Sequence, residues 1–306
     1  MPHEIAPDAI RKTAGLALAR TERLSETGAS ATLRITGILK FAPDRSESEL
    51  LCWLEKQLGP AHALCLPRFR DLGEVDGSFV TELEYLGDST FEAVLANPTR
   101  YCAIEPSAVV ERVGEILARF GALRVPSDML SSSVDATLEE IIEAISHNAM
   151  RAGSSFIPDA DICHRRAAFV PGVCHRDLSA PNVMCGSNGD VRLIDPRTRM
   201  PGASAGPPAF GSAAIDAAAF LVSLERKELE GKRKGLPPFA LAERFQDIIA
   251  GLVEKGAFNE FMFDLCRAHA YSVYAACRCD YCLAIERAWL HDLMRERFEA
   301  SLCRIV

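Results

Sequence analysis

The sequence predicts an α+β chain with a small strand-rich N-terminal lobe and a larger, mainly helical C-terminal lobe. Short alternating or β-branched runs, broken at glycines, fill much of residues 18–41, and residues 79–85 alternate polar and apolar side chains, which is typical of strands. From residue 107 onward apolar residues recur at helical spacing. With 306 residues the chain is also long for one core. We therefore expect lobes at 1–86 and 87–306.

The N-terminal lobe is expected to contain one prominent helix among its strands. Ser46 and Glu49 have the spacing of a capping box, with Ser46 as the N-cap of a helix that carries an apolar stripe. Gly59 and Pro60 end this helix. A first helical segment and the strands are predicted at about 8–20, 18–26, 31–36, 38–41 and 79–85.

The C-terminal lobe is expected to be helical apart from one hairpin. The stretches "NVMCG" and "DVRLID" read as two short strands, and residues 187–190 between them form a turn. Apolar residues at helical spacing predict helices at about 107–121, 137–150, 213–230, 240–255, 257–276 and 279–300.

The composition and the net charge favour some classes of binding partner over others. The net charge of −8 argues against nucleic acid or an anionic membrane surface and suits a cationic substrate. No apolar run has the length of a signal peptide core or a membrane span, so we expect a cytoplasmic protein. The 11 cysteines follow no disulfide framework. Cys277, Cys279 and Cys282 have the residue type of a zinc site, but their helical context favours packing.

The stretch "VCHRDLSAPNVMCGSNGDVRLIDPR", residues 173–197, carries the chemistry. Asn182 enters the predicted hairpin and Asp195 leaves it, so a hairpin brings these two side chains together. Two hard oxygen ligands suit Mg²⁺, which takes one or two protein oxygens and completes its shell with phosphate oxygens. Asp177, in the loop ahead of the hairpin, is placed to accept a proton from a hydroxyl. A metal site beside a base predicts phosphoryl transfer to an alcohol. The alternative is a structural hairpin without chemistry.

The motif "HRDLSAPN" followed by "LIDPR" resembles the catalytic loop and metal-binding aspartate of the aminoglycoside phosphotransferase and choline kinase-like families. The resemblance implies a bilobal protein-kinase-like fold and transfer of the γ-phosphate of ATP to a small-molecule hydroxyl. It implies that Asp177 is the catalytic base, and that Asn182 and Asp195 hold Mg²⁺. The acceptor would be an aminoglycoside-like antibiotic or a metabolite.

The resemblance also assigns nucleotide contacts upstream. Lys40, within the apolar run "GILKFA", would bridge the α- and β-phosphates. A charge in that run needs a carboxylate partner. Glu47 is favoured as that partner from its distance to the Trp53-Leu54 pair, and Glu49 remains the alternative.

Two further N-terminal segments complete the implied nucleotide site. The loop "SETGASA", with Gly28 and Ser30, would cover the phosphates, although it carries one glycine where protein kinases carry three. The segment "ELEYLGD" resembles the hinge, where backbone groups from Glu84 to Leu86 would pair with adenine.

Asp216 and three departures from the family pattern also bear on function. Asp216 matches an element that buttresses the catalytic loop. Arg176 stands where the phosphotransferases usually carry glycine, Pro196-Arg197 follows Asp195 in place of an aromatic residue, and no acceptor signature is present near the C-terminus. Acidic residues there that would meet a cationic acceptor are Asp264, Asp280 and Asp292.

Two other functions remain open on the sequence. Arg176 favours a protein Ser/Thr kinase, but Asp195 and Asp216 are only 21 positions apart, and the segment between them holds no A-P-E element. A catalytically inactive nucleotide-binding regulator is the third hypothesis, and the presence of Lys40, Asp177, Asn182 and Asp195 argues against it.

Overall fold

The computed structural model divides the chain into two compact units, Met1–Gly87 and Asp88–Val306. Helices dominate the second unit, and the strands of both units form small antiparallel sheets. The structure describes residues 37–42, 45–75, 77–87, 89–123, 130–153, 157–186, 189–197, 210–236, 239–276 and 288–305.

The N-terminal unit contains a three-stranded antiparallel sheet in the order β1-β3-β2. Its strands are β1 (Gly37–Ala42), β2 (Phe69–Val75) and β3 (Ser78–Glu84). The sequence predicted β1 and β3. It missed β2, because the run "FRDLGEV" has no clean alternation and its register shifts between Asp71 and Gly73.

Helix α1 (Ser46–Leu58) follows β1 and lies close to its predicted position. The structure corrects its start: Arg45 occupies the N-cap position, so Ser46 is the first helical residue rather than the cap. The Ser48 hydroxyl donates to the Arg45 carbonyl. Three leucines of the predicted apolar stripe are buried, namely Leu50, Leu51 and Leu54.

Eight helices of the C-terminal unit lie in the described ranges. They are α2 (Phe91–Ala96), α3 (Pro106–Ala122), α4 (Leu130–Arg151), α5 (Ala160–Arg166), α6 (Ala213–Arg233), α7 (Leu241–Glu254), α8 (Glu260–Ala276) and α9 (Ala288–Ile305). The sequence located the long ones to within a few residues at most ends, although α4 begins seven residues earlier than predicted and residues 277–287, ahead of α9, lie outside the described ranges. It missed α2 and α5, which are too short to show a period.

An aromatic cluster joins three of these helices. The Phe220 ring of α6 lies 6.3 Å from that of Phe91 in α2 and 5.0 Å from that of Phe245 in α7. All three side chains are fully buried. Burial of aromatic rings contributes strongly to a core, so this cluster fixes α2 and α7 on α6.

Two short antiparallel strand pairs organise the region between α5 and α6. Strand β5 (Val183–Cys185) pairs with β6 (Val191–Leu193), which confirms the predicted hairpin. Strand β4 (Pro171–Val173) pairs with β7 (Phe210–Ser212), and this pair was not predicted. Because β7 leads directly into α6, the second pair brings the start of α6 beside the loop that follows β4.

None of the helices in the described ranges combines the length and the hydropathy that crossing a membrane requires.

Candidate functional site

The loop that carries the predicted base is fastened to the first turn of α6. The Asp216 carboxylate accepts hydrogen bonds from the backbone N–H groups of His175, at 2.6 Å, and Arg176, at 2.7 Å. Asp216 is fully buried, and this burial raises its pKa from 3.8 to about 6, although the two N–H donors oppose the shift. The structure therefore contains the buttressing contact that the sequence predicted for Asp216.

Arg176 adopts a left-handed backbone conformation with a φ of 64°. This region is unfavourable for residues other than glycine, so the surrounding contacts must hold it. The buried guanidinium supplies such contacts. Its Nη1 donates to the Glu140 carboxylate on α4, and its Nη2 donates to the Phe210 carbonyl of β7 at 2.7 Å. Arg176 thus ties the loop to α4 and β7.

Asp177 and Asn182 are in direct contact. The Asn182 side-chain nitrogen Nδ2 donates to the Asp177 carbonyl at 2.7 Å and to Asp177 Oδ2 at 3.2 Å. The Asn182 backbone N–H donates to the Ser179 carbonyl at 2.9 Å, which closes a short 3₁₀ turn over Ala180–Asn182. Since Nδ2 faces Asp177, the amide oxygen Oδ1 of Asn182 points elsewhere.

The hairpin brings the chain after β6 back to Asn182. The Ile194 N–H donates to the Asn182 carbonyl at 2.9 Å, and the Ile194 carbonyl lies 2.9 Å from the His175 ring nitrogen Nε2. Asp195 follows directly and adopts a left-handed conformation with a φ of 60°. Asp177, Asn182 and Asp195 are therefore neighbours along two segments that hydrogen-bond to each other.

Arg197 joins the same group, a contact that the sequence analysis did not anticipate. Its Nε lies 2.8 Å from Asp177 Oδ2, and its backbone N–H donates to the His175 carbonyl at 2.9 Å. The Asp177 side chain is 25% exposed and that of Arg197 is 56% exposed. The sequence feature that pointed to Arg197 was the unusual Pro196-Arg197 pair after Asp195, but this pair alone does not predict a contact with Asp177.

The metal site implied for Asn182 and Asp195 agrees with the chemistry of the side chains present. Within the described ranges no group of three or more His, Cys, Asp or Glu side chains is arranged to hold a metal ion. Mg²⁺ bound with a nucleotide does not need one, because phosphate oxygens and water fill most of its shell. One amide oxygen and one carboxylate on adjacent segments fit such a partial site.

The predicted nucleotide contacts of the N-terminal unit are described only in part. Strand β1 places Lys40 opposite Thr81 in the register with β3, and Glu47 lies in the first turn of α1. The choice between Glu47 and Glu49 as partner of Lys40 stays a prediction. Gly28 and Ser30 lie outside the described residues.

Glu84, the first residue of the predicted hinge, ends β3. Its N–H donates to the Arg68 carbonyl at 2.8 Å, and its carboxylate accepts from the Arg68 N–H at 3.0 Å. Leu86 lies beyond the strand and is partly exposed. The Glu84 N–H of the predicted hinge is therefore already hydrogen-bonded to the backbone of Arg68.

The acidic residues suggested for a cationic acceptor do not form one described group. Asp264 lies 2.6 Å from Arg267 and 3.7 Å from Arg304, so cations of its own chain face it. Asp292 is exposed on α9, and Asp280 lies outside the described residues.

Comparison with known proteins finds similarity in structure only. No family model matches the sequence, and no curated protein matches it. Among solved structures, aminoglycoside-3'-phosphotransferase of type VIII is 19% identical with a TM-score of 0.50, over 88% of this chain and 98% of that one. Glucosamine kinase in complex with glucosamine, ADP and inorganic phosphate is 16% identical with a TM-score of 0.56, over 96% and 88%.

A third structure extends the same likeness. A thermostable mutant of aminoglycoside phosphotransferase APH(4)-Ia is 13% identical with a TM-score of 0.50, over 97% of this chain and 98% of that one. Likeness at such low identity is evidence about the fold. The chain therefore has the fold of these aminoglycoside phosphotransferases and of glucosamine kinase, which agrees with the resemblance that its motif showed.

Proposed function

We propose that the protein is an ATP-dependent phosphotransferase that transfers the γ-phosphate to a hydroxyl group of a small molecule. The observation that carries this proposal is the contact between Asp177 and Asn182, together with the hydrogen bond from Ile194 to Asn182 that brings Asp195 alongside. A base next to two hard oxygen ligands is the minimum arrangement for this reaction.

In the proposed reaction Asp177 orients the acceptor hydroxyl and accepts its proton. The hydroxyl oxygen forms a bond to the γ-phosphorus, the bond from that phosphorus to the β,γ-bridging oxygen breaks, and ADP leaves with that electron pair. Asn182 and Asp195 would hold Mg²⁺, which neutralises charge on the phosphate oxygens. Catalysis then comes mostly from positioning and electrostatic stabilisation.

The proposal assigns nucleotide binding to a lobe at residues 1–86 and the base and acceptor to a lobe at 87–306. Lys40, paired with Glu47, is proposed to contact the α- and β-phosphates. Gly28 and Ser30 are proposed to cover the phosphates, and the backbone from Glu84 to Leu86 to bind adenine. The fold supports these roles, because it is shared with phosphotransferases, one of which was solved with ADP.

The alternative function is that of a protein Ser/Thr kinase, and Arg176 is the residue that favours it. In the structure the Arg176 guanidinium is buried against Glu140 and the Phe210 carbonyl. These two contacts give Arg176 a structural role within the C-terminal unit, which accounts for its presence in the motif. The small-molecule activity therefore remains the better supported of the two.

The test is an ATP-consumption screen over hydroxylated small molecules and a generic protein substrate, with the Asp177→Ala variant as the blank. We expect ADP formation with a small molecule that the blank loses. Phosphorylation of the protein substrate alone would favour the rival. Stabilisation of the fold by Mg-ATP without ADP formation on any acceptor would favour an inactive regulator.

A further inference from the structure

We propose that Arg197 makes the acceptor site selective for a hydroxylated compound that carries an anionic group, a carboxylate or a phosphate, close to the reacting hydroxyl. This inference rests on the proposed function and specifies its substrate class. Arg197 acts as a specificity-determining residue in this scheme, while Asp177 remains the base.

Arg197 is held beside the base by its backbone and by its side chain. Its backbone N–H donates to the His175 carbonyl at 2.9 Å, and its Nε lies 2.8 Å from Asp177 Oδ2. The preceding residue, Pro196, is buried and has a restricted backbone. Its backbone position and its bond to Asp177 therefore place the Arg197 guanidinium beside the base.

Part of the Arg197 guanidinium can be reached by a ligand. The bond to Asp177 uses one of the five guanidinium N–H donors, and 56% of the side chain is exposed. A planar guanidinium binds carboxylate and phosphate groups through paired hydrogen bonds. An acceptor that approaches Asp177 therefore meets guanidinium N–H donors that can pair with an anionic group of that acceptor.

Several carboxylates elsewhere in the C-terminal unit face cationic side chains of the same chain. Glu92 on α2 is contacted by Arg226 and Lys227 of α6. Glu230 lies 2.8 Å from Lys227 as well. A polycationic acceptor would have to displace these arginine and lysine side chains before it gained the same carboxylates.

Tyr274 links this charged group to the base. The Arg226 guanidinium lies over the Tyr274 ring at 4.9 Å from its centroid. Burial raises the pKa of the Tyr274 phenol, and the nearby charges that act on it are those of Arg226, Asp177, Glu92 and Glu230. The charges of Asp177, Glu92 and Glu230 thus act on the same buried phenol.

A second compensated group lies along α6 and α8. Glu225 accepts hydrogen bonds from Arg297, at 2.7 Å, and from the Tyr271 hydroxyl. Asp264, suggested by the sequence as a contact for a cationic acceptor, faces Arg267 and Arg304. Each of the carboxylates named above thus faces a cation of the same chain, and Arg197 lies next to the base.

The first experiment compares three sugars that share a ring and differ in charge: glucuronate, glucose and glucosamine, each with Mg-ATP. We expect kcat/KM to be highest for glucuronate and to exceed that for glucosamine by roughly tenfold or more, the effect of one charge at a partly exposed site. Arg197→Gln should abolish this preference, and Arg197→Lys should keep part of it. A wild-type preference for glucosamine that Arg197→Gln leaves unchanged would overturn the inference.

Arg304→Gln is the matched control for these variants. Arg304 is 61% exposed and lies near a carboxylate, as Arg197 does, but on α9. The control should keep the wild-type order of the three sugars. Loss of the preference in Arg304→Gln to the same degree as in Arg197→Gln would show a general charge effect and would contradict a specific role of Arg197.

The second experiment does not depend on turnover. Binding of glucuronate to the intact protein is measured by calorimetry for wild type, Arg197→Gln and Arg304→Gln. We expect Arg197→Gln alone to weaken binding roughly tenfold. Equal affinity of wild type and Arg197→Gln, or no binding to wild type, would overturn the inference. Arg197-dependent binding without ADP formation from any acceptor would instead contradict the proposed function and leave anion recognition standing.

Discussion

Arg176 and Glu140 form an ion pair in the core of the C-terminal unit, where their side chains are 0% and 2% exposed. Arg176 precedes the proposed base Asp177, and Glu140 lies on α4, so the pair fastens the catalytic loop to a long helix. Neither charge can be solvated by bulk water. Each is compensated by the other and by hydrogen bonds such as that from Arg176 to the Phe210 carbonyl.

The buried pair leads to a prediction about stability. Glu140→Gln leaves the Arg176 guanidinium buried without its counter-charge, and we expect the free energy of unfolding to fall by about 3–5 kcal/mol. Glu139→Gln, at the exposed neighbouring position, should change it by less than about 0.5 kcal/mol. Chemical denaturation measures both. Similar losses of unfolding free energy in the two variants would show that the Arg176–Glu140 ion pair makes no special contribution to stability.

Asp216 leads to a prediction about pH. Its pKa is raised from 3.8 to about 6, chiefly by burial, while the two backbone N–H donors and Arg176 oppose the shift and Asp177 adds to it. Because the folded state binds this proton more tightly, the contribution of Asp216 to stability is fully present below about pH 4 and is lost as the pH rises through about 6. At 1.36 kcal/mol per pKa unit this loss is about 3 kcal/mol.

The measurement for Asp216 is the unfolding free energy of wild type and Asp216→Asn between pH 4 and 7.5. We expect the difference, wild type minus variant, to fall as the pH rises from about 4 to about 6. The charged groups that face Asp216 are Arg176 and Asp177, and the thiols of Cys174 and Cys266 also lie near it. A difference that does not vary with pH would show that Asp216 titrates at its ordinary pKa.

Ser223 leads to a prediction about the loop between the base and the hairpin. Its hydroxyl, on α6, accepts a hydrogen bond from the Ala180 N–H at 2.9 Å, and this contact is buried. Ser223→Ala leaves that N–H unsatisfied, so we expect a loss of about 1–3 kcal/mol in stability and a lower kcat. Ser146→Ala, whose hydroxyl donates to the Ile142 carbonyl within α4, is the control and should retain kcat.

Asp195 leads to a prediction about magnesium. Asp195→Asn replaces the charged ligand that we propose for Mg²⁺ by a neutral one, so the Mg²⁺ concentration that gives half-maximal ATP turnover should rise at least roughly tenfold. Asp190→Asn, in the exposed turn of the same hairpin, should leave it unchanged. A titration of Mg²⁺ at fixed ATP distinguishes the two. The same magnesium requirement in both variants would remove Asp195 from the metal site.

Local patterns predicted the hairpin of the candidate site and the proximity of Asn182 to Asp177 from the sequence. The spacing from Asp177 to Asn182 falls within one loop, and a turn between two apolar runs defines the hairpin that returns the chain towards Asn182. The contact of Asp216 was anticipated because the motif that carries it is also compact. The long helices were found because their periods repeat over several turns.

Contacts over a long distance in sequence were not predictable. Glu140 and Arg176 are separated by 36 positions, and nothing in either local sequence indicates the other. Strands β4 and β7 have three residues each, which is too few to show alternation. Arg197 and Asp177 are 20 positions apart, and a sequence pattern does not report the left-handed backbone of Asp195 between them.

The most direct test of the account is a crystal structure with Mn²⁺ and a non-hydrolysable ATP analogue, in which anomalous scattering locates the metal. We expect the ion at roughly 2 Å from the side-chain oxygens of Asn182 and Asp195, bound to phosphate oxygens, with Asp177 facing the γ-phosphate. An ion coordinated elsewhere, or an Asp177 carboxylate directed away from the triphosphate, would contradict the proposed phosphotransferase site.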